Sequence, residues 1–161
     1  MQIAERYAKP SRVSRILMIQ LGDIGDVVWS LPALRAIGDA YPTATLAVLL
    51  REGSGSLLAA QTAPPAIFEV RKGGAGFWGR LRSALVLIRD LRRGRFDLVF
   101  DVRGDARGAY MAFAAGAPIR AAIYFRQLPF PRNRLFTHLV PPTGEAMQVG
   151  AADSSLYLLR A

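Results

Sequence analysis

The sequence predicts an α/β domain, a parallel sheet with helices on both faces. Three observations carry this. Short apolar runs recur along the chain, and stretches with helical spacing separate them, the alternation expected when each strand returns to the same sheet through a crossover. The runs are almost continuously apolar, as strands covered on both faces are. With 161 residues and 52% apolar content, the chain can bury one core.

The elements follow in order. Ile16-Leu17-Met18-Ile19 reads as a buried strand that ends in the loop Leu21-Gly22-Asp23-Ile24-Gly25. Residues 26–40 then place Val27, Val28, Leu31, Leu34 and Ile37 at helical spacing, and Tyr41-Pro42 stops that helix. A second strand is expected over 45–50, a short helix over 54–61 and a third strand over 66–70. Gly73-Gly74-Ala75-Gly76 reads as a loop. Residues 77–93 are helical by period, with Leu81, Leu85, Ile88 and Leu91 on one face and Arg80, Arg82, Arg89 and Arg92 elsewhere. A fourth strand over 96–101, a small-residue helix over 106–115 and a fifth strand over 119–125 complete a Rossmann-like half. Residues 128–142, rich in Pro and Arg, read as a long loop with an extended piece near 136–140, and 148–160 as a last helix.

Composition narrows the chemistry. Without cysteine there is no thiol nucleophile, disulfide framework or cysteine zinc site. His138 is the sole histidine, so a carboxylate is the better candidate for a general base. The formal charge of +9 points to an anionic partner: nucleic acid, an acidic membrane surface or a phosphorylated substrate. The apolar run 16–19 is too short for a signal-peptide core or a membrane span, which leads to the expectation of a cytoplasmic protein.

In open parallel sheets ligands sit at the carboxyl ends of the strands. The loops there should bring Asp23, Asp26, Arg51, Arg71, Lys72, Arg103, Asp105 and Arg107 to one rim. A dinucleotide reading of the first loop, with Glu52 as the ribose acid, fails on spacing. Gly22 and Gly25 give Gly-x-x-Gly, and Asp23 and Asp26 stand where a pyrophosphate needs bare amides. Asp26 itself has two readings. As a first-turn residue it satisfies free amides and the helix dipole, worth about 0.5–2 kcal/mol. At the mouth of the sheet it can accept a proton from a sugar hydroxyl. The two roles are compatible.

The segment from Ile16 through Gln20-Leu21-Gly22-Asp23-Ile24-Gly25-Asp26-Val27-Val28-Trp29-Ser30-Leu31-Pro32-Ala33-Leu34 to Ile37, followed by Tyr41-Pro42, resembles the opening of glycosyltransferase family 9, the lipopolysaccharide heptosyltransferases and their relatives. Phe96-Asp97-Leu98-Val99-Phe100-Asp101 with Gly104 and Arg107, then Ala115-Gly116-Ala117-Pro118, resemble the family's second landmark. The resemblance runs from about Arg15 to the end. It implies the N-terminal domain of a GT-B glycosyltransferase, inverting and metal-independent, that moves heptose from an ADP-sugar to a lipopolysaccharide-core acceptor.

On that resemblance Asp26 matches the catalytic base. The acceptor-contacting set is Gly22, Asp23, Gly25, Arg51, Arg71, Lys72, Arg103, Asp105, Arg107 and Arg126, with Asp101 a second candidate carboxylate. No cofactor and no metal are expected. The partners implied are an anionic lipid-linked oligosaccharide and an ADP-sugar donor, with an anionic membrane surface at the inner face of the bacterial inner membrane as a further partner. The expected organisation is an N-terminal extension over 1–14, the acceptor-side domain over 15–145 and the start of an interdomain helix over 146–161. The donor domain is absent from the chain, which is expected to be inactive alone. Gln20 departs from the family, which often has a cation there. The alternative is a stand-alone basic α/β module for nucleic acid or another polyanion, although the basic residues lack the interleaved aromatics of a stacking platform.

Overall fold

In the computed structural model, which describes residues 13–59, 64–71, 76–124, 131–141 and 151–160, the elements alternate as expected. They are β1 (Arg15–Gln20), α1 (Ile24–Trp29), α2 (Leu31–Ala40), β2 (Thr45–Arg51), β3 (Ala66–Val70), α3 (Phe77–Gly94), β4 (Leu98–Asp101), α4 (Ala106–Ala115), β5 (Ile119–Ile123), β6 (His138–Val140) and α5 (Ala151–Arg160). Short 3-10 turns lie at Gly55–Leu57 and Arg132–Leu135. All the strands pair in parallel, in the order β3-β2-β1-β4-β5-β6.

Alternation along the strands divides the core between the two faces of the sheet. Ile16, Met18, Val48, Leu50 and Phe100 point to one face, where Leu34 and Ile37 of α2 and Leu158 of α5 cover them. Leu17, Ile19, Leu49 and Val99 point to the other, under Leu91 of α3 and Ala109, Ala112 and Ala115 of α4. The small residues of α4 let its backbone lie close to the sheet. Gly108 marks the limit, because a β-carbon there would collide with the carboxyl group of Asp101.

Three expectations are corrected and one is extended. The helix expected over 26–40 is two helices broken at Ser30. Pro32, in the first turn of α2, has no N–H to continue the ladder, and its ring clashes with the carbonyl four residues back. Ser30 closes α1 instead: its N–H donates to the Asp26 and Val27 carbonyls, and its hydroxyl donates to the Val27 carbonyl at 2.8 Å. The helix expected over 54–61 is a 3-10 turn confined to Gly55–Leu57 within its described residues. The extended piece near 136–140 is a paired sixth strand, β6. Finally, α3 does not bury the face that its period suggests. Leu91 is fully buried, with Ser83 and Leu87 partly covered on the same line, while Leu81 and Leu85 stay outside. Leu85 and Leu87 are two residues apart, roughly 200° around the helix, so packing had to choose between them.

Candidate functional site

The strand order reverses direction at β1 and β4, because β2 lies to one side of β1 and β4 to the other. Loops leaving two such strands diverge and open a crevice at their carboxyl ends. The loop after β1 carries Gly22, Asp23 and Asp26, and the loop after β4 carries Arg103, Gly104 and Asp105. The two meet across the crevice where the Arg103 guanidinium contacts Asp26 Oδ2.

Asp26 occupies the first turn of α1, and its Oδ2 also accepts the N–H of Asp23, the residue before the helix, at 3.0 Å. The amide of buried Gln20 ties the loop down: its Oε1 accepts the Gly22 N–H at 3.1 Å and its Nε2 donates to the Asp26 carbonyl at 3.3 Å. Gly22 is required here, since a β-carbon would overlap the Asp26 side chain and the Arg103 guanidinium. Both side-chain contacts of Asp26 fall on Oδ2. No described residue hydrogen-bonds Oδ1, and the side chain is 38% exposed. Among the described residues, then, the carboxylate is held through Oδ2 alone.

Beside it lies an open cavity of about 360 Å³ whose lining includes Gly22, Asp23, Arg51, Arg71 and Arg107. Arg51 pairs with Asp23, and both are largely solvated, so this ion pair orients the side chains and contributes little to stability. The loop after β2 is braced by Glu69 of β3, whose Oε1 accepts the N–H groups of Gly53 at 3.2 Å and Gly55 at 3.0 Å. Asp105 caps α4 by accepting the Gly108 N–H at 2.7 Å, and it also holds the Arg103 Nε at 3.3 Å.

Of the expected set, Gly22, Asp23, Arg51, Arg71 and Arg107 therefore share one cavity, and Asp26, Arg103 and Asp105 form a linked chain beside it. Gly25 lies in α1 outside the cavity lining, and a β-carbon there meets nothing. Lys72 and Arg126 lie outside the described residues. Glu69 and the clasp at Gln20 were missed by sequence reasoning, since neither role has a local pattern.

Asp101 is corrected from candidate site carboxylate to core group. It is 1% exposed beneath α4 and accepts the Gly104 N–H at 3.0 Å. Burial pushes its carboxyl up to about 7, against the opposing pull of that hydrogen bond and of nearby Arg132. Arg132, expected in a loop, is itself buried, donates to the Ile123 carbonyl at 2.8 Å and lies over the Phe136 ring. Because the folded-state value of Asp101 is raised, the folded protein holds this proton more tightly than the unfolded chain. Its stabilisation is complete below the unfolded value near 3.8 and is lost as pH rises through about 7. Between pH 5.5 and 7.5 this single group should lower unfolding stability by on the order of 2 kcal/mol, read as a shift in urea midpoint. Asp101→Asn should flatten that part of the profile.

Tyr110 and Phe113 of α4 are each about half exposed, and the Arg120 guanidinium lies 5.7 Å from the Phe113 ring centroid. His138 sits in β6 beside Thr137, with Nδ1 and Oγ1 2.8 Å apart, and burial lowers its basicity. Among the described residues no helix is long and apolar enough to cross a membrane.

The fold and the rim define a Rossmann-like α/β domain of the kind found in GT-B glycosyltransferases, and comparison with known proteins places it more closely. Over 121 residues, 74% of the chain, it is 25% identical to lipopolysaccharide heptosyltransferase 3 of Escherichia coli (strain K12), and the match covers 35% of that protein. A solved glycosyl transferase family 9 structure from Veillonella parvula superposes with a TM-score of 0.74 at 20% identity, covering 91% of this chain and 40% of that one. The E. coli heptosyltransferase WaaC, solved with ADP-2-deoxy-2-fluoro heptose, gives a TM-score of 0.74 at 17% identity, covering 89% and 46%. No family model matches the chain. The resemblance to this family is thus borne out: the chain is similar to a heptosyltransferase over 121 residues and has the fold of family 9 structures. It spans about a third of the curated relative's length and less than half of each solved structure.

Proposed function

We propose that this domain is the acceptor-side half of an inverting, metal-independent glycosyltransferase that moves heptose from an ADP-sugar to a lipopolysaccharide-core-type acceptor. The observation that carries the reading is Asp26. One carboxylate oxygen is fixed by Arg103 and a backbone N–H, and the other is open beside a cavity with three arginines.

In this reading Oδ1 accepts the proton of an acceptor hydroxyl as that oxygen attacks the anomeric carbon of the donor. The bond from that carbon to the diphosphate breaks on the opposite face, so the sugar is transferred with inversion and ADP leaves. A carboxylate pinned at one oxygen keeps the other aimed at the incoming hydroxyl, which is the positioning that general-base catalysis needs. Arg51, Arg71 and Arg107 suit phosphate or carboxylate groups on the acceptor, at about 1.5–3 kcal/mol for each charge-assisted contact. WaaC was solved with ADP and with an ADP-heptose analogue, which supports an ADP-sugar as the donor class here. In this reading the donor contacts belong to the part of the relatives' length that this chain does not match, and transfer is expected to need both parts.

The test is binding and turnover by the 161-residue chain alone. It should bind a phosphorylated lipopolysaccharide core, lose about tenfold or more in affinity on Arg51→Glu with Arg71→Glu, and give no transfer with ADP-heptose. Salt-sensitive binding to generic DNA with none to the core would replace this reading with that of a polyanion-binding module. Efficient transfer by the chain alone would overturn the division into acceptor and donor halves.

A further inference from the structure

We propose that the outward face of α3 docks on an anionic lipid bilayer. The helix is held to the body along the line of Ser83, Leu87 and Leu91, and its opposite face has no cover among the described residues. On that face Trp78 is 77% and Leu85 57% exposed. Phe77, which meets Trp78 edge-on with ring centroids 5.5 Å apart, is 72% exposed. Trp78, Leu81, Arg82, Leu85, Val86 and Arg89 bound a shallow groove of about 380 Å³. A contiguous apolar stripe of this kind on the surface marks an interaction site.

Charge selects the occupant. The helix carries Arg80, Arg82, Arg89, Arg92 and Arg93 against the single carboxylate Asp90, which already pairs with Arg89. Arg82 and Arg89 flank the apolar stripe two turns apart on one side of the helix. A bilayer interface accepts both features at once: the tryptophan at headgroup level, the leucines at the acyl boundary and the guanidinium groups on lipid phosphates. Single-stranded nucleic acid would match the arginines but not Leu81, Leu85 and Val86, which offer no stacking plane. The aromatic end of α3 follows the carboxyl end of β3, the end of the sheet that bears the Asp26 rim. Docking through it brings that rim towards a membrane. The benefit of this placement rests on the acceptor reading above, whereas the binding itself does not.

The experiment uses the whole chain and vesicles of phosphatidylethanolamine with or without phosphatidylglycerol. Co-sedimentation should require phosphatidylglycerol and weaken steeply with salt. Trp78→Ala with Leu85→Ala should reduce partitioning by about tenfold or more. Arg82→Glu with Arg89→Glu should reduce it by at least about fivefold per arginine removed, and Trp78→Phe should largely preserve it. The chain has two tryptophans, so in Trp29→Phe the emission of Trp78 reports alone and should shift to the blue on binding. Absence of binding to phosphatidylglycerol vesicles at low salt would overturn the proposal, as would binding indifferent to these substitutions or an unshifted Trp78. Lipid-free self-association abolished by the same substitutions would also overturn it and assign the face to a second copy. None of these readouts involves sugar transfer, so failure here and failure of the transferase reading are separately visible.

Discussion

Replacing Asp26 by Asn is expected to lower sugar transfer by about 10²–10⁴-fold in a protein that joins this domain to a donor-binding half, with ADP-sugar affinity nearly unchanged. The amide side chain is isosteric and can still accept the Asp23 N–H through its oxygen, so the first turn of α1 keeps its support. What it loses is the capacity to take a proton at the open position. Arg103 also loses its charged partner and keeps only Asp105. The measurement is kcat and KM under saturating donor, with donor affinity measured independently. A rate within about threefold of the parent would assign Asp26 to helix capping alone.

Gly22→Ala is expected to damage the site and the fold together. The added methyl group falls on the Asp26 side chain and the Arg103 guanidinium, and Gly22 is buried with its N–H committed to Gln20. Arg103 can move its far end away. Asp26 cannot do so without releasing Oδ2 from Asp23 or shifting the first turn of α1. Overpacking of this kind costs about 1–3 kcal/mol, and the misplaced carboxylate should cost transfer about 10²-fold or more. Gly25→Ala is the internal control. Its β-carbon meets nothing, and it lies in α1, where alanine is the better helix former, so stability should rise by about 0.5–1 kcal/mol. Urea midpoints of the two variants separate these outcomes. Equal midpoints would mean that the loop is slack rather than clasped.

Much of this was readable from the residues in order. The buried strands, the small-residue helix over 106–115 and the gathering of charged loops on one rim follow from apolar period and from the geometry of parallel sheets, both local properties. The first loop could be separated from a dinucleotide fingerprint by glycine spacing alone. The motif around Asp26 could be matched to a family because strand, loop and Leu31-Pro32-Ala33-Leu34 are contiguous in the chain.

Other features depended on residues distant in sequence and could not be read that way. Arg103 faces Asp26 from 77 positions further on, because β4 lies beside β1 in the sheet. Glu69 braces Gly53 and Gly55 across the β2–β3 pair, and Asp101 becomes a core carboxyl only when α4 closes over it. On α3 the sequence offers apolar residues on more than one side, and only packing against the sheet and α4 decided that Leu87 and Leu91 go inside and Leu81 and Leu85 stay out. The sequence by itself determined which elements form and that an acidic loop stands at the carboxyl end of β1, because those depend on local period and turn chemistry. Which oxygen of Asp26 is held and which is open, and which side of α3 faces outward, were decided by tertiary structure, because both are set by neighbours that strand pairing brings together.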